Sequence, residues 1–223
     1  MIRFLTIVHD QNNDKLTRCD IGLKRRNNTN MKELFEWLNN NVSFFKKYKK
    51  EIVEFSKMKN THAEDSEFNS LYFLGYVTDE NYEIKTLKCH WFNRITEGNE
   101  DIFCDKHYLE YLQNCDIKEF KELVPYAKTI LQNCDTHLWM EGIDYNENYS
   151  QKHKIYFQFP QNTYNGLIKT FENEILTEKL EKIRTWNEIH KEFSCDGFAI
   201  GKTHDGTMTL NLYFQIPEEE QLN

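Results

Sequence analysis

The feature that most constrains this chain is a phrase written twice. Residues 154 to 160 read KIYFQFP and residues 212 to 217 read LYFQIP, so that Tyr156 falls on Tyr213 and Pro160 on Pro217. Each copy closes a longer segment that opens as an apolar strand, crosses a polar turn and returns as an aromatic strand. Three segments follow that plan: LYFLGYVTDENYEIKTLKCHWF (71 to 92), LWMEGIDYNENYSQKHKIYFQF (138 to 159) and GFAIGKTHDGTMTLNLYFQI (197 to 216). A more degenerate fourth is FLTIVHDQNNDKLTRCDIGLK (4 to 24). Apolar and polar residues alternating on both sides of a polar turn signal a β-hairpin, and a recurring unit decides the fold before any motif does.

Between hairpins the apolar period lengthens from two to that of a helix. Met31 to Leu38 and then Val42, Phe45, Tyr48, Ile52 and Phe55 predict a helix pair broken at Asn39, Asn40 and Asn41. A short helix near His107 to Leu112 is followed by one carrying Ile117, Phe120, Leu123, Val124, Ala127, Ile130 and Leu131, with a kink expected at Pro125. The third interval offers Tyr164, Leu167, Ile168, Phe171 and Ile175, then Leu180, Ile183, Ile189 and Phe193 behind Thr177 as a cap. The expected class is therefore α+β: repeated ββαα units with about eight antiparallel strands and about six helices. No stretch reads as a linker, so residues 1 to 223 are expected to form one domain of four hairpin units, at about 2 to 24, 71 to 94, 138 to 160 and 197 to 217.

Side chains alternate across a strand. In the third hairpin Ile155, Phe157 and Phe159 share one face, and Lys154, Tyr156 and Gln158 the other. In its echo Leu210, Leu212, Phe214 and Ile216 oppose Thr209, Asn211, Tyr213 and Gln215. Leu87, Cys89 and Trp91 likewise oppose Lys88, His90, Phe92 and Arg94, and Cys19 and Ile21 oppose Arg18, Asp20 and Lys24. The apolar face must lie under the helices. The polar, aromatic and cationic face lines a lumen if the sheet closes into a barrel with the helices outside. In the alternative, an open antiparallel sheet with helices on one face, it meets water.

Helix pairs alternating with hairpins whose returning strands are written K-x-Y-F resemble the soluble aromatic prenyltransferases of the ABBA, or PT-barrel, fold. The segment EGIDYNENYSQKHKIYF is similar to the cyanobactin peptide prenyltransferases. The resemblance implies a barrel in which an isoprenyl diphosphate meets an aromatic small molecule or a peptide acceptor, with Mg2+ accompanying the diphosphate. It implies diphosphate binding by Arg18, Lys24, Lys88, Lys154, Tyr156 and Tyr213. Fixed cationic and phenolic donors stabilise the charge of a departing diphosphate. His90, Phe92, Trp139 and Asn211 are implied as the cation shield and acceptor pocket; π faces attract an allyl cation without trapping it. Asp20, Glu141 and Asp144 are candidates for orienting the acceptor, with no choice among them. The family has five hairpins where four are read here, and the absent first one carries its acidic residue.

A formal charge of −8 speaks against a nucleic-acid partner. No apolar run reaches the roughly 20 residues that span a bilayer, so no membrane is expected. Six cysteines without a CxxC pair or an apolar leader suggest reduced thiols and a cytoplasmic protein. GKT at 201 to 203 lacks the upstream glycine of a phosphate loop and runs into a strand, so it reads as a hairpin turn. Cys89 and His90 are adjacent on a strand and leave on opposite faces, which argues against a zinc site with Cys104 and His107. DYNEN at 144 to 148 lacks the glycine of a calcium loop and reads as a hairpin tip. Two function classes stand: a prenyltransferase, or a non-catalytic barrel or sheet that binds a ligand or a protein.

Overall fold

The structure, a computed structural model, describes residues 2–10, 15–23, 29–59, 71–79, 81, 83–92, 95–97, 100–102, 105–161, 163–171, 176–191 and 194–215. The chain opens with the hairpin β1 (Ile2–Asp10) and β2 (Lys15–Leu23), followed by α1 (Thr29–Asn41) and α2 (Phe45–Lys59). Next come β3 (Leu71–Thr78) and β4 (Ile84–Phe92), a small hairpin β5 (Ile95–Glu97) and β6 (Glu100–Ile102), then α3 (Asp105–Asn114) and α4 (Lys118–Asn133). The hairpin β7 (Asp135–Asn146) and β8 (Gln151–Gln161), α5 (Thr163–Thr170) and α6 (Leu176–Ile189), and the hairpin β9 (Ser194–Thr203) and β10 (Met208–Gln215) complete the order. All four expected hairpins form. The β5–β6 hairpin is additional, because three-residue strands are too short for alternation to register.

Hydrogen bonding joins the strands in the order β10-β9-β8-β7-β4-β3, a six-stranded antiparallel sheet, while β1 and β2 make a two-stranded sheet with β2 lying alongside β3. The expected closure of eight strands into a barrel is therefore corrected. Among the described strands β3 and β10 are the edges of the large sheet, and the open antiparallel alternative is the one that forms. The reason is physical: alternation specifies which face of a strand is buried and carries no information about which edges pair.

The chain divides into two compact units, Met1–Phe92 with Glu141–Lys152 and Asn93–Met140 with His153–Asn223, so that β7 and β8 each run through both. In the first unit Phe35, Leu38, Val42, Phe45, Tyr48, Ile52 and Phe55 are all buried. Phe55 meets Trp91 of β4 edge to face at 4.5 Å, and Tyr48 tilts over Tyr145 of β7 at 4.7 Å. Burying each such side chain is worth about 1.5–3 kcal/mol. The helix break falls at the last of the three expected asparagines, α1 running through Asn41. The Asn41 Nδ2 donates to the Trp37 carbonyl at 2.7 Å, so the asparagine ends the helix from within its last turn.

In the second unit Phe120, Leu123, Val124, Ala127 and Ile130 of α4 are wholly buried, with the expected Pro125 inside the helix on its exposed side. The Cys115 thiol donates to the Leu112 carbonyl at 3.1 Å and closes α3. Gly166 brings α5 against the end of α4, where a Cβ would stand 2.6 Å from the Asn133 carbonyl oxygen. Thr177 does not cap α6. It is the second residue of that helix and donates to the Phe171 carbonyl at 2.6 Å, satisfying the end of the preceding segment instead. Ile189, expected in the apolar stripe, is 72% exposed.

The hairpin tips confirm the polar readings. Asp205 accepts from the Thr203 hydroxyl and from the Thr207 N–H at 3.0 Å, holding the turn after GKT, and Gly206 supplies its φ of +88°. At the DYNEN tip Tyr149 takes the left-handed φ of 64°, with Lys47 of α2 3.6 Å above its ring. Among the described residues no group of three His, Cys, Asp or Glu is arranged to hold a metal ion, and no helix is long and apolar enough to cross a membrane.

Candidate functional site

Ring contacts identify the two faces of the sheet. On β8 His153 packs edge to face on Phe120 of α4 at 5.1 Å, so the odd positions Ile155 and Phe157 also face the helices. Phe157 stacks on Phe198 of β9 at 4.8 Å, Lys202 pairs with Glu122 of α4 at 2.6 Å, and Phe214 of β10 meets Trp186 of α6 at 5.3 Å. By alternation Lys154, Tyr156, Gly197, Ala199, Gly201, Asn211 and Tyr213 fall on the opposite face, the helix-free one with respect to α4 and α6.

On that face the repeated phrase becomes a contact. Tyr156 and Tyr213 stack with centroids 6.0 Å apart and planes 23° from parallel, although β9 runs between their strands. The strand between them explains how. Tyr213 is the register partner of Gly197, Asn211 of Ala199 and Thr209 of Gly201, so β9 presents only glycine and alanine here. A Cβ at Gly197 would stand 2.7 Å from the Phe157 carbonyl oxygen, so the absence of a side chain both admits close packing and leaves room for the rings to meet. On this face Lys154 is only 6% exposed and Tyr156 5%, while Tyr213 is 40% exposed and Asn211 is exposed. The small residues of β9 thus lie between Tyr156 of β8 and Tyr213 of β10, and Lys154 is buried. Gly197 is the element that residue-type reasoning missed; its signal was a glycine in a strand interior.

In the first unit Lys88 and His90 lie opposite Leu87, Cys89 and Trp91 on β4, as alternation requires, and both are buried, at 5% and 4% exposure. Lys88 is the register partner of Gly75 on β3, again a position without a side chain. From Met140 to Tyr145 every residue of β7 is buried, so both faces of that strand are covered. Glu141 is wholly buried and Asp144 is 8% exposed. Burial, then the charges of Asp144 and Glu51, push the Cys89 thiol well above its usual range; burial, then Cys89 and Glu51, do the same to the Tyr145 phenol. The first unit thus keeps acids within electrostatic reach of groups that stay protonated.

The remaining candidates are placed less fully. Arg18 and Asp20 sit on β2 opposite Val8 and Thr6 of β1, and Trp139 is half-buried on β7. The side chains of Arg18, Asp20 and Phe92, and the whole of Lys24, lie outside the described residues. Of the expected diphosphate ligands, Lys154, Tyr156 and Tyr213 belong to the second unit, and Lys88 to the first. Comparison of the chain with protein-family models, with curated proteins and with solved structures finds no match.

Proposed function

We propose that the helix-free face holds an isoprenyl diphosphate and passes its isoprenyl group to an aromatic small molecule or a peptide. The observation that carries this is the burial of Lys154 beside the Tyr156–Tyr213 stack. A lysine at 6% exposure next to two stacked phenols on one face of the sheet brings a cationic and two hydroxyl donors together, the donor types an anionic ligand takes. Lys154 and the two phenol hydroxyls are the donors for a diphosphate, each charge-assisted contact being worth about 1.5–3 kcal/mol. The stacked rings give an allyl cation a π surface that does not capture it. Within the first unit Lys88 and His90 are a separate pair of buried basic groups, and Glu141 and Asp144 its buried acids. In this scheme Mg2+ is the counter-ion that arrives on the diphosphate.

The test is turnover. The protein is incubated with Mg2+, dimethylallyl or geranyl diphosphate, and a panel of phenols, indoles and Tyr- or Trp-containing peptides, and both diphosphate release and acceptor mass are followed. The expected result is an acceptor heavier by one isoprenyl unit, with kcat/KM lowered at least about tenfold in Lys154→Ala. Absence of transfer to every acceptor contradicts the enzyme.

The open edges of the sheet favour a second reading. A sheet that hydrogen bonds do not close gives no guarantee of the dry enclosure a carbocation needs, and the same face then binds an anionic, partly apolar ligand without turnover. Binding without diphosphate release distinguishes this reading from the first.

A further inference from the structure

We propose that β10 is a self-pairing edge through which two copies of this chain join their sheets into one continuous sheet about a two-fold axis at Asn211. Among the described strands β10 is hydrogen-bonded on one side only, to β9. Exposed edges are normally blunted by charge or proline, yet MTLNLYFQ contains neither, in a protein of formal charge −8. A strand without charge can meet its own copy without repulsion.

The order of residues argues for a second copy rather than a foreign strand. An isologous antiparallel pair places residue i opposite residue j and j opposite i, so its strand must be palindromic in chemistry. About Asn211 this one is: Leu210 mirrors Leu212, Thr209 mirrors Tyr213, and Met208 mirrors Phe214. In that register Asn211 faces its own copy, two Leu–Leu pairs and two Met–Phe pairs form on the helix side, and two Thr–Tyr pairs form on the helix-free side. Cross-strand pairs of this kind contribute about 0.2–1 kcal/mol each.

Burial agrees. The inner strands Ile155, Phe157, Phe198 and Ile200 are wholly buried on the helix side, whereas Leu210, Leu212 and Phe214 of β10 remain half-exposed. Beside Phe214, α6 leaves Trp186 41% exposed, an aromatic group flanking the open edge, and Ile189 three residues on is 72% exposed. Large exposed apolar groups next to an unpaired strand mark an interface.

The test uses the whole chain. Sedimentation equilibrium across about 1 to 100 µM is expected to return twice the 27.0 kDa chain mass. Asn211→Lys and Asn211→Glu each place like charges opposite one another at the axis, and Asn211 is exposed, so the fold is kept, as circular dichroism checks. Each variant alone is expected to dimerise at least about tenfold more weakly, and an equimolar mixture of the two to restore the dimer through a Lys–Glu pair. A monomeric wild type, which would mean another strand covers the edge, overturns the proposal. So do single variants that dimerise like wild type, or a mixture that does not recover.

Discussion

At the residue scale Gly197 does what no side chain could. Its missing Cβ keeps β9 against the Phe157 carbonyl and lets two tyrosines from non-neighbouring strands stack. Gly197→Ala is expected to cost about 1–3 kcal/mol in urea unfolding, because the new methyl meets backbone rather than a yielding side chain, and to alter the near-ultraviolet dichroism of the tyrosine pair. An unchanged midpoint would mean that β9 shifts freely. The buried thiols give a pH dependence. Burial pushes Cys134 up to about 11 and raises Cys115 and Cys89 as well. An unfolded thiol ionises near 8.5, so above that pH the unfolded state gives up protons that the folded state keeps. The associated stability is complete below about pH 8.5 and is lost as pH rises toward 11; the melting temperature should fall over that window, with a smaller fall in Cys134→Ala.

At the element scale polar contacts tie helix starts to strands. Asp105, the first residue of α3, accepts the Leu138 N–H at 3.0 Å and lies 3.1 Å from the His137 ring nitrogen, fastening the helix start to β7. Removing it in Asp105→Ala is expected to cost about 1–2 kcal/mol by urea titration, since a strand N–H loses its acceptor and the helix start its negative charge. The linked tips of β3–β4 and β7–β8 should matter less. Lys85 sits 3.4, 2.9 and 3.1 Å from Asp79, Glu83 and Glu147, but these pairs face water. Strand faces were legible in the sequence, because period-two alternation at Leu87 to Trp91 and Ile155 to Phe157 admits one arrangement under helices. Helix ends were less so. Asn41 and Thr177 act through bonds to the Trp37 and Phe171 carbonyls, and a polar residue near a helix end does not announce which carbonyl or N–H it will reach.

At the scale of the whole molecule the hairpin repeat was legible and its closure was not. Each hairpin could be recognised locally, whereas the pairing of β3 and β10 depends on edges that carry no pattern of their own. The candidate site shares that division. Alternation alone could set Lys88 and His90 opposite the apolar side of β4, and Lys154, Tyr156 and Tyr213 opposite that of β8 and β10, but the depth of their burial and the Gly197 gap that joins the two tyrosines arise from packing. The proposed function requires that Lys154 and the tyrosine stack bind a diphosphate. Isothermal titration of geranyl diphosphate tests it directly, with wild type beside Lys154→Ala and Tyr213→Phe. Saturable binding weakened at least about tenfold by Lys154→Ala, and less by Tyr213→Phe, is predicted; no binding, or equal affinity in all three proteins, contradicts it.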